Sequence, residues 1–386
     1  MNGVLIIDKP AGLTSHDVVA RVRRILHERS IGHLGTLDPM ATGALPLVIG
    51  SFTRLAQFYA SAEKVYQGTI RFGFTTDTYD AEGEPTSPPQ DVTLRPQEIE
   101  ALAANFRGLI EQVPPPFSAK KIKGVPAYKL ARKHKQVVLE PVQVEIKELE
   151  IQGVEQARVR FRARVASGTY LRSVAHDMGQ ALGCGAHLES LRRTAVAEFT
   201  LADAHTLEEV AAAAGKSNGA RRETSHVARA PSPACPAGTT ESSSASTPSR
   251  EEAPECSPRR EPWEAETTAE QVPEGRKNHS ALDADGAARP TGHQSDSGPL
   301  AGEGARATWQ SLESFFIHPR RLLPQMPSVT ADEPTAARIR AGRTVNLPEL
   351  SRARQVKVFA GQRDLLAIAT RVAGTLFHPK IVFVAE

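Results

Sequence analysis

The chain has 386 residues, 40% of them hydrophobic and 24% charged, with a net charge of +3, which is the composition of an ordinary globular protein. Its three cysteines, Cys184, Cys235 and Cys256, show no paired spacing, which argues against a disulfide framework or a zinc site and for a reducing, cytoplasmic compartment. No run of about 18 apolar residues offers a membrane span, and Met1–Ile7 lacks the basic start of a secretory signal.

In chain order, Val4-Leu5-Ile6-Ile7 predicts a short buried strand. Ser15 reads as a helix N-cap, with Val18, Val22, Ile25 and Leu26 following at helical spacing. Leu45 to Ile49 is a second apolar strand. Tyr66 to Phe74 alternates, with Tyr66, Ile70 and Phe72 as its strand-like residues. Pro96 to Phe106 predicts a helix, and Val142, Val144 and Ile146 another alternating strand.

Ala157 to Ala166 carries the clearest strand pattern. Val159, Phe161, Ala163 and Val165 fall on one face, and Arg158, Arg160, Arg162 and Arg164 on the other. Such an arginine face either contacts RNA phosphates or is a solvated face with acidic cross-strand neighbours. Leu171, Val174, Ala175, Met178 and Leu182 then mark an amphipathic helix that Gly183 and Gly185 end. The spacing is too irregular for a doubly wound sheet. It predicts an α+β fold with a mixed, largely antiparallel central sheet and flanking helices.

Residues 214–308 contain no Phe, Tyr or Ile, and Trp263 is their only aromatic residue. So few apolar groups cannot offset the entropy of ordering, so the segment is expected to be a disordered insert or linker. It carries 11 Lys and Arg against 14 Asp and Glu, a net −3, so the remaining chain is +6 and mildly basic, compatible with a polyanionic partner. The insert separates a catalytic-sized block, 1–213, from a small block, 309–386. In the latter, Val356–Phe359, Leu365–Ala369 and Ile381–Val384 predict strands of a small β-rich, barrel-type module.

The richest chemistry lies in Gly32-His33-Leu34-Gly35-Thr36-Leu37-Asp38-Pro39-Met40-Ala41-Thr42-Gly43, a loop between helix and strand. Alone, Asp38-Pro39 is a turn former. Flanked by Gly32, Gly35 and Gly43, with His33 and Thr36 beside it, Asp38 becomes a carboxylate displayed on an approachable backbone, as in an active site. Nothing else in the chain competes. His176, Asp177 and His187 lack a familiar metal-ligand spacing, and no phosphate loop or dinucleotide motif occurs.

GHLGTLDPMATGALPLVIG (32–50) resembles the signature of the TruB-type tRNA pseudouridine synthases, of the stand-alone bacterial kind. LIIDKPAGLTSHDVV (5–19), KVYQGTIRFGFTTDTYDAEGE (64–84), QVPPPFSAKKIKGVPAYKLAR (112–132) and GTYLRSVAHDMGQALGCGAHLESLRRTAVAEFTL (168–201) resemble further family segments in the family's order. Together they cover essentially all of 1–213, which is far more specific than one short pattern. The match is looser in the last block, where RIRAGRTVNL and RDLLAIA are similar to a PUA-like RNA-binding module.

The resemblance implies the pseudouridine synthase fold and isomerisation of the T-loop uridine of tRNA, conventionally position 55. It implies Asp38 as catalytic nucleophile, Tyr66 packed on the target uracil and Arg172 paired with the aspartate. It implies His33 as holding the loop once the base is extruded, and Tyr170 and Leu191 as pocket lining. Lys9 and Pro10 match a supporting loop, and Lys120, Lys121 and Lys123 a phosphate-contacting element. It further implies the tRNA T-arm as partner, with no cofactor, no metal, no membrane and no obligate protein partner, the chain acting as a monomer.

The chemistry agrees with these residue types. A carboxylate nucleophile must be ionised, and a nearby guanidinium favours that form against burial. The target atom is reached only after the base flips out, when an aromatic ring can stack on it. Taken singly, Arg172 also fits a helix-surface pair, and Tyr66 a core residue. The competing functions are a non-catalytic RNA-binding or tRNA-folding protein, a related synthase acting on another RNA, and a metal-dependent hydrolase.

Overall fold

A computed structural model of the chain describes residues 1–118, 120–122, 124–127, 130, 139–223, 312–349 and 351–383. Its strands before the insert are β1 (Gly3–Lys9), β2 (Ile31–His33), β3 (Thr42–Ile49), β4 (Lys64–Phe72), β5 (Gly108–Gln112), β6 (Lys121–Ile122), β7 (Val125–Pro126), β8 (Val142–Glu155), β9 (Arg158–Val165), β10 (Ala186–Val196), β11 (Phe199–Thr200) and β12 (Ala204–His205). The helices there are α1 (Ser15–Leu26), α2 (Ala56–Tyr59), α3 (Pro96–Ala104), α4 (Leu171–Ala181) and α5 (Leu207–Glu223).

The larger sheet runs β12-β1-β3-β10-β4-β9-β8-β5, with β2 added to β3 and β11 to β10; β6 and β7 form a separate hairpin. The pairs β1–β12 and β10–β3 are parallel and the others antiparallel, giving the mixed, largely antiparallel sheet expected. Alternation along β1 sends Leu5 and Ile7 into one core and Val4 and Ile6 into another. The first core is covered by Val18, Val22 and Leu26 of α1, Ile99 of α3, Val174 and Met178 of α4, and Val210 of α5.

The cap of α1 lies one residue earlier than the sequence suggests. Thr14 Oγ1 accepts from the Asp17 backbone N–H while the Asp17 carboxylate accepts from the Thr14 N–H. Ser15 is instead buried inside the first turn, where its hydroxyl bonds both the N–H and the carbonyl of Leu37. The four arginines of β9 resolve as a solvated face with acidic neighbours. Arg158 pairs with Glu189 on β10, Arg160 with Glu155, and both Arg162 and Arg164 with Glu148 on β8.

Helix α5 runs past residue 213, and Ala214 is buried in the first core, so the block expected to end at 213 continues into the segment read as an insert. Residues 224–311 lie outside the described residues. After them, Leu312 to Met326 packs on the first block before the second sheet begins. That sheet comprises β13 (Ser328–Ala331), β14 (Val345–Asn346), β15 (Gln355–Ala360), β16 (Asp364–Ala373) and β17 (Leu376–Val382), with one helix, α6 (Glu333–Arg340). Its order among the described residues is β13-β15-β16-β17-β14, the small β-rich module expected. The last strand begins earlier than Ile381 and includes Pro379. Among the described residues no helix is long and apolar enough to cross a membrane.

Candidate active site

Asp38 sits in the loop joining β2 to β3, held at the edge of the sheet from three directions. From below, the fully buried Lys9 donates through its ammonium to the carbonyls of Pro10 (2.9 Å), Leu13 (2.6 Å) and Pro39 (3.0 Å). Burial pushes the Lys9 ammonium down to about 8, with the charges of Glu82 and Asp38 opposing that shift. From β10, the fully buried Arg193 donates to the carbonyls of Gly35 (3.0 Å), Thr36 (3.2 Å) and Ala44 (2.8 Å). From α1, Ser15 pins Leu37 at both backbone groups. Gly43 closes the loop at φ 105°, where a Cβ would lie 2.2 Å from the Arg193 carbonyl oxygen.

Arg172, in the first turn of α4, aims the carboxylate. Its Nη2 donates to Asp38 Oδ1 at 3.2 Å, and its Nε lies 2.9 Å from Oδ2. The same guanidinium donates to the carbonyls of Thr78 (3.1 Å) and Phe117 (3.0 Å) and lies 3.4 Å from Asp80 Oδ2. The Arg172 side chain is 6% exposed and that of Asp38 35%. The cation is thus fixed inside the protein while the carboxylate remains open to a ligand. Asp80 is buried and bonded by the Thr78 hydroxyl (2.6 Å) and the Glu82 N–H (3.1 Å). Burial pushes its carboxyl up, against the pull of Thr78 and Arg172.

Two cavities meet at Asp38. The tighter one, about 280 Å³, is lined by Asp38, Tyr66, Tyr170, Arg172 and Leu191. That is the lower end of the roughly 300–1,000 Å³ range of small-ligand sites, and suits one planar ring. Tyr66 on β4 and Leu191 on β10 reach it from adjacent strands, both 9% exposed. Tyr170 is placed by Gln112, whose amide bonds both its N–H and its carbonyl. The wider cavity, about 710 Å³, lies on the other side of Asp38 and includes His16, His33, Asp80, Glu82 and Ser118. Burial and the nearby Arg193 hold the His33 imidazole below its usual range.

Asp38, Tyr66, Arg172, Tyr170 and Leu191, singled out in the sequence, therefore line one cavity. His33 lines the second, and Lys9 with Pro10 supports the loop from beneath. Lys120 is exposed, the Lys121 side chain is not described, and Lys123 lies outside the described residues. Sequence reasoning missed Asp80, Arg193 and Ser15. TTDTYDAEGE drew notice only as a continuation of the Tyr66 segment, and Arg193 only as part of the segment that carries Arg172. Among the described residues no three His, Cys, Asp or Glu side chains cluster as metal ligands. His176 stacks on Tyr79, and His187 faces the Phe74 carbonyl.

The model of the TruB family pseudouridylate synthase N-terminal domain matches residues 23–171, and that of the tRNA pseudouridylate synthase B C-terminal domain matches 172–228. The chain belongs to the TruB family. The first match contains Asp38, Tyr66 and Tyr170; the second contains Arg172 and Leu191. The tRNA pseudouridine synthase B of Solibacter usitatus is 56% identical over 210 residues, 54% of this chain and 72% of the relative. That of Opitutus terrae is 49% identical over 212 residues, 55% of this chain and 88% of the relative. That of Aquifex aeolicus is 45% identical over 211 residues, 54% of this chain and 73% of the relative.

Among solved structures, an H/ACA RNP bound to a substrate RNA containing 2′-deoxyuridine is similar with a TM-score of 0.53 at 19% identity, covering 99% of this chain and 85% of that one. An archaeal box H/ACA sRNP complex follows at 0.52 and 20%, covering 99% and 86%. At such identity the likeness speaks for the pseudouridine synthase fold.

Proposed function

We propose that the protein isomerises the T-loop uridine of tRNA, conventionally position 55, to pseudouridine in the cytoplasm, acting as a monomer on the tRNA T-arm. Membership in the TruB family supports the reaction class. The observation that carries the residue assignment is Asp38, held by a buried Arg172 at the mouth of a cavity sized for one base.

In this reading the target uridine flips out of the loop and its uracil enters the tighter cavity. Tyr66 stacks on the ring, and Leu191 and Tyr170 complete the walls. The Asp38 carboxylate is the nucleophile. The N1–C1′ bond breaks, the uracil turns, and a C5–C1′ bond forms. The transient bond between Asp38 and the nucleotide breaks, the C5 proton passes to solvent and N1 takes up a proton, so the product is an isomer of the substrate. Arg172 keeps the carboxylate oriented through the cycle. His33 fills the gap the base leaves and holds the remaining loop across the wider cavity. Lys120, Lys121 and Lys123 contact phosphates, and the sheet after the insert extends the grip on RNA as a PUA-like module.

The test uses unmodified tRNA tritiated at C5 of its uridines, with purified protein and a chelator. Intact protein is expected to release tritium, and Asp38→Asn to release none while still binding the tRNA. Equal release from both would remove Asp38 from its role. Pseudouridine mapped outside the T-loop would overturn the choice of substrate position.

A further inference from the structure

Tyr79 stands between the two residues, Thr78 and Asp80, whose oxygens face Arg172 from the loop after β4. Its backbone is left-handed, at φ 65°, a conformation that bulky side chains seldom adopt. Such a conformation persists only where the surroundings over-determine it, and functional sites are where this is common. The backbone contacts account for the turn: Tyr79 N–H donates to the Thr76 carbonyl (3.3 Å), and the Tyr79 carbonyl accepts from Leu188 N–H (3.0 Å). Neither needs a tyrosine.

The Tyr79 ring lies on His176, with centroids 3.8 Å apart and planes 12° from parallel. His176 is four residues after Arg172 on α4, so the two side chains share a helix face. The His176 Nδ1 is buried and has no hydrogen-bond partner among the described residues. A buried unpaired polar atom is a cost that an apolar side chain would avoid, so what His176 contributes here is its ring face. Burial lowers the His176 imidazole and raises the Tyr79 phenol, which keeps both rings neutral near pH 7.

We infer that the Tyr79–His176 stack is a positioning pair that locks the Thr78 carbonyl and Asp80 carboxylate onto Arg172, and through Arg172 sets the aim of Asp38. This rests on the reading of Asp38 and Arg172 as the reacting pair. The stack clamps the loop to the helix that bears the arginine. Without it, the loop keeps its attachment to β10 through Leu188, but only the Arg172 guanidinium itself still ties it to α4. Neither ring lines the two cavities at Asp38, so the pair acts on the geometry of the site and not on the substrate directly.

Glycine at 79 separates the structural role from the positioning one, because it adopts this φ without strain. Tyr79→Gly is expected to fold, with an unfolding temperature within about 5 °C of the parent. Its single-turnover rate is expected to fall roughly 10- to 100-fold, as for small misplacements of reacting groups, with tRNA Kd unchanged. Tyr79→Phe and His176→Phe keep a stackable ring and are expected to react at the parental rate.

A double-mutant cycle with Asp80→Asn completes the test: if the stack works through Asp80, the two losses combine to less than their product. A parental rate in Tyr79→Gly, losses that multiply in the cycle, or no recovery in Tyr79→Phe would each overturn the proposal. Asp38→Asn run in parallel distinguishes the two readings. If it is inactive while Tyr79→Gly is fully active, only the stack's role fails; if it is active, the assignment of Asp38 fails and the stack's role with it.

Discussion

Arg172 serves two carboxylates and two carbonyls from one planar fork. A lysine has a single ammonium and cannot meet these oxygens from the same place. Arg172→Lys is therefore expected to lower the single-turnover rate by about 100-fold or more while changing tRNA Kd only a few-fold. A lysine variant with parental turnover would show that charge alone suffices and that the fork has no role in aiming Asp38. Asp38, Tyr66 and Arg172 were legible in the sequence because residue type, a glycine-rich setting and the ordered family segments all marked them. Lys9 and Arg193 were not legible as loop clamps. Their six acceptors are backbone carbonyls, all of them in the 10–13 and 35–44 stretches. A carbonyl leaves no trace in side-chain pattern; only the approach of distant strands makes it a partner.

Helix α4 carries Arg172 at its start, and midway it carries a charge that opposes folding. Asp177 is half-buried, and burial pushes its carboxyl up to about 6. The folded state thus binds a proton more tightly than the unfolded chain, whose carboxyl titrates near 3.8. The favourable contribution is complete below about pH 3.8 and is lost as pH rises through about 6. Asp177→Asn stays neutral throughout. It should be more stable than the parent by roughly 1–3 kcal/mol at pH 7, with the difference vanishing near pH 4. Chemical denaturation at the two pH values checks this, and an equal difference at both would refute it.

Periodicity located this helix and the β9 strand well, because both bury one regular face. It failed at short or irregular elements. Thr14 and Ser15 are both good caps by type, and only the Leu37 contacts show why Ser15 turns inward. In β17 the interior Pro379 masked the start of the strand.

The sequence suggested two blocks joined by a linker, yet the described parts share a core. Ile317 donates its N–H to the Val4 carbonyl at 2.8 Å, and Phe316 bridges to Leu5. Val4, Ile6, Phe52 and Leu55 pack in one cluster with Ile317, Leu322, Leu323, Ile368 and Phe383. Glu198 Oε1 accepts from the Tyr59 hydroxyl (2.6 Å) and the Leu323 N–H (2.8 Å), and the buried Lys357 ammonium donates to the Leu322 carbonyl (2.6 Å).

Val4 and Ile6 were legible as buried, but not all that buries them, since Ile317, Leu322, Leu323, Ile368 and Phe383 in the same cluster lie more than 300 residues away. A chain ending at residue 311 would uncover this face. Each large apolar side chain removed from such a core forfeits about 1.5–3 kcal/mol, and Leu312, Ile317, Leu322, Leu323 and Met326 are all buried. The loss approaches the roughly 5–15 kcal/mol that holds a typical domain folded. The intact chain is therefore expected to unfold in one calorimetric transition, and the truncated chain to be unfolded or aggregated at 37 °C. Two separated transitions in the intact protein, or a truncated chain with the parental midpoint, would mean that the β-rich sheet is an appendage. In that case Asp38 and its clamps would be held by the first block alone.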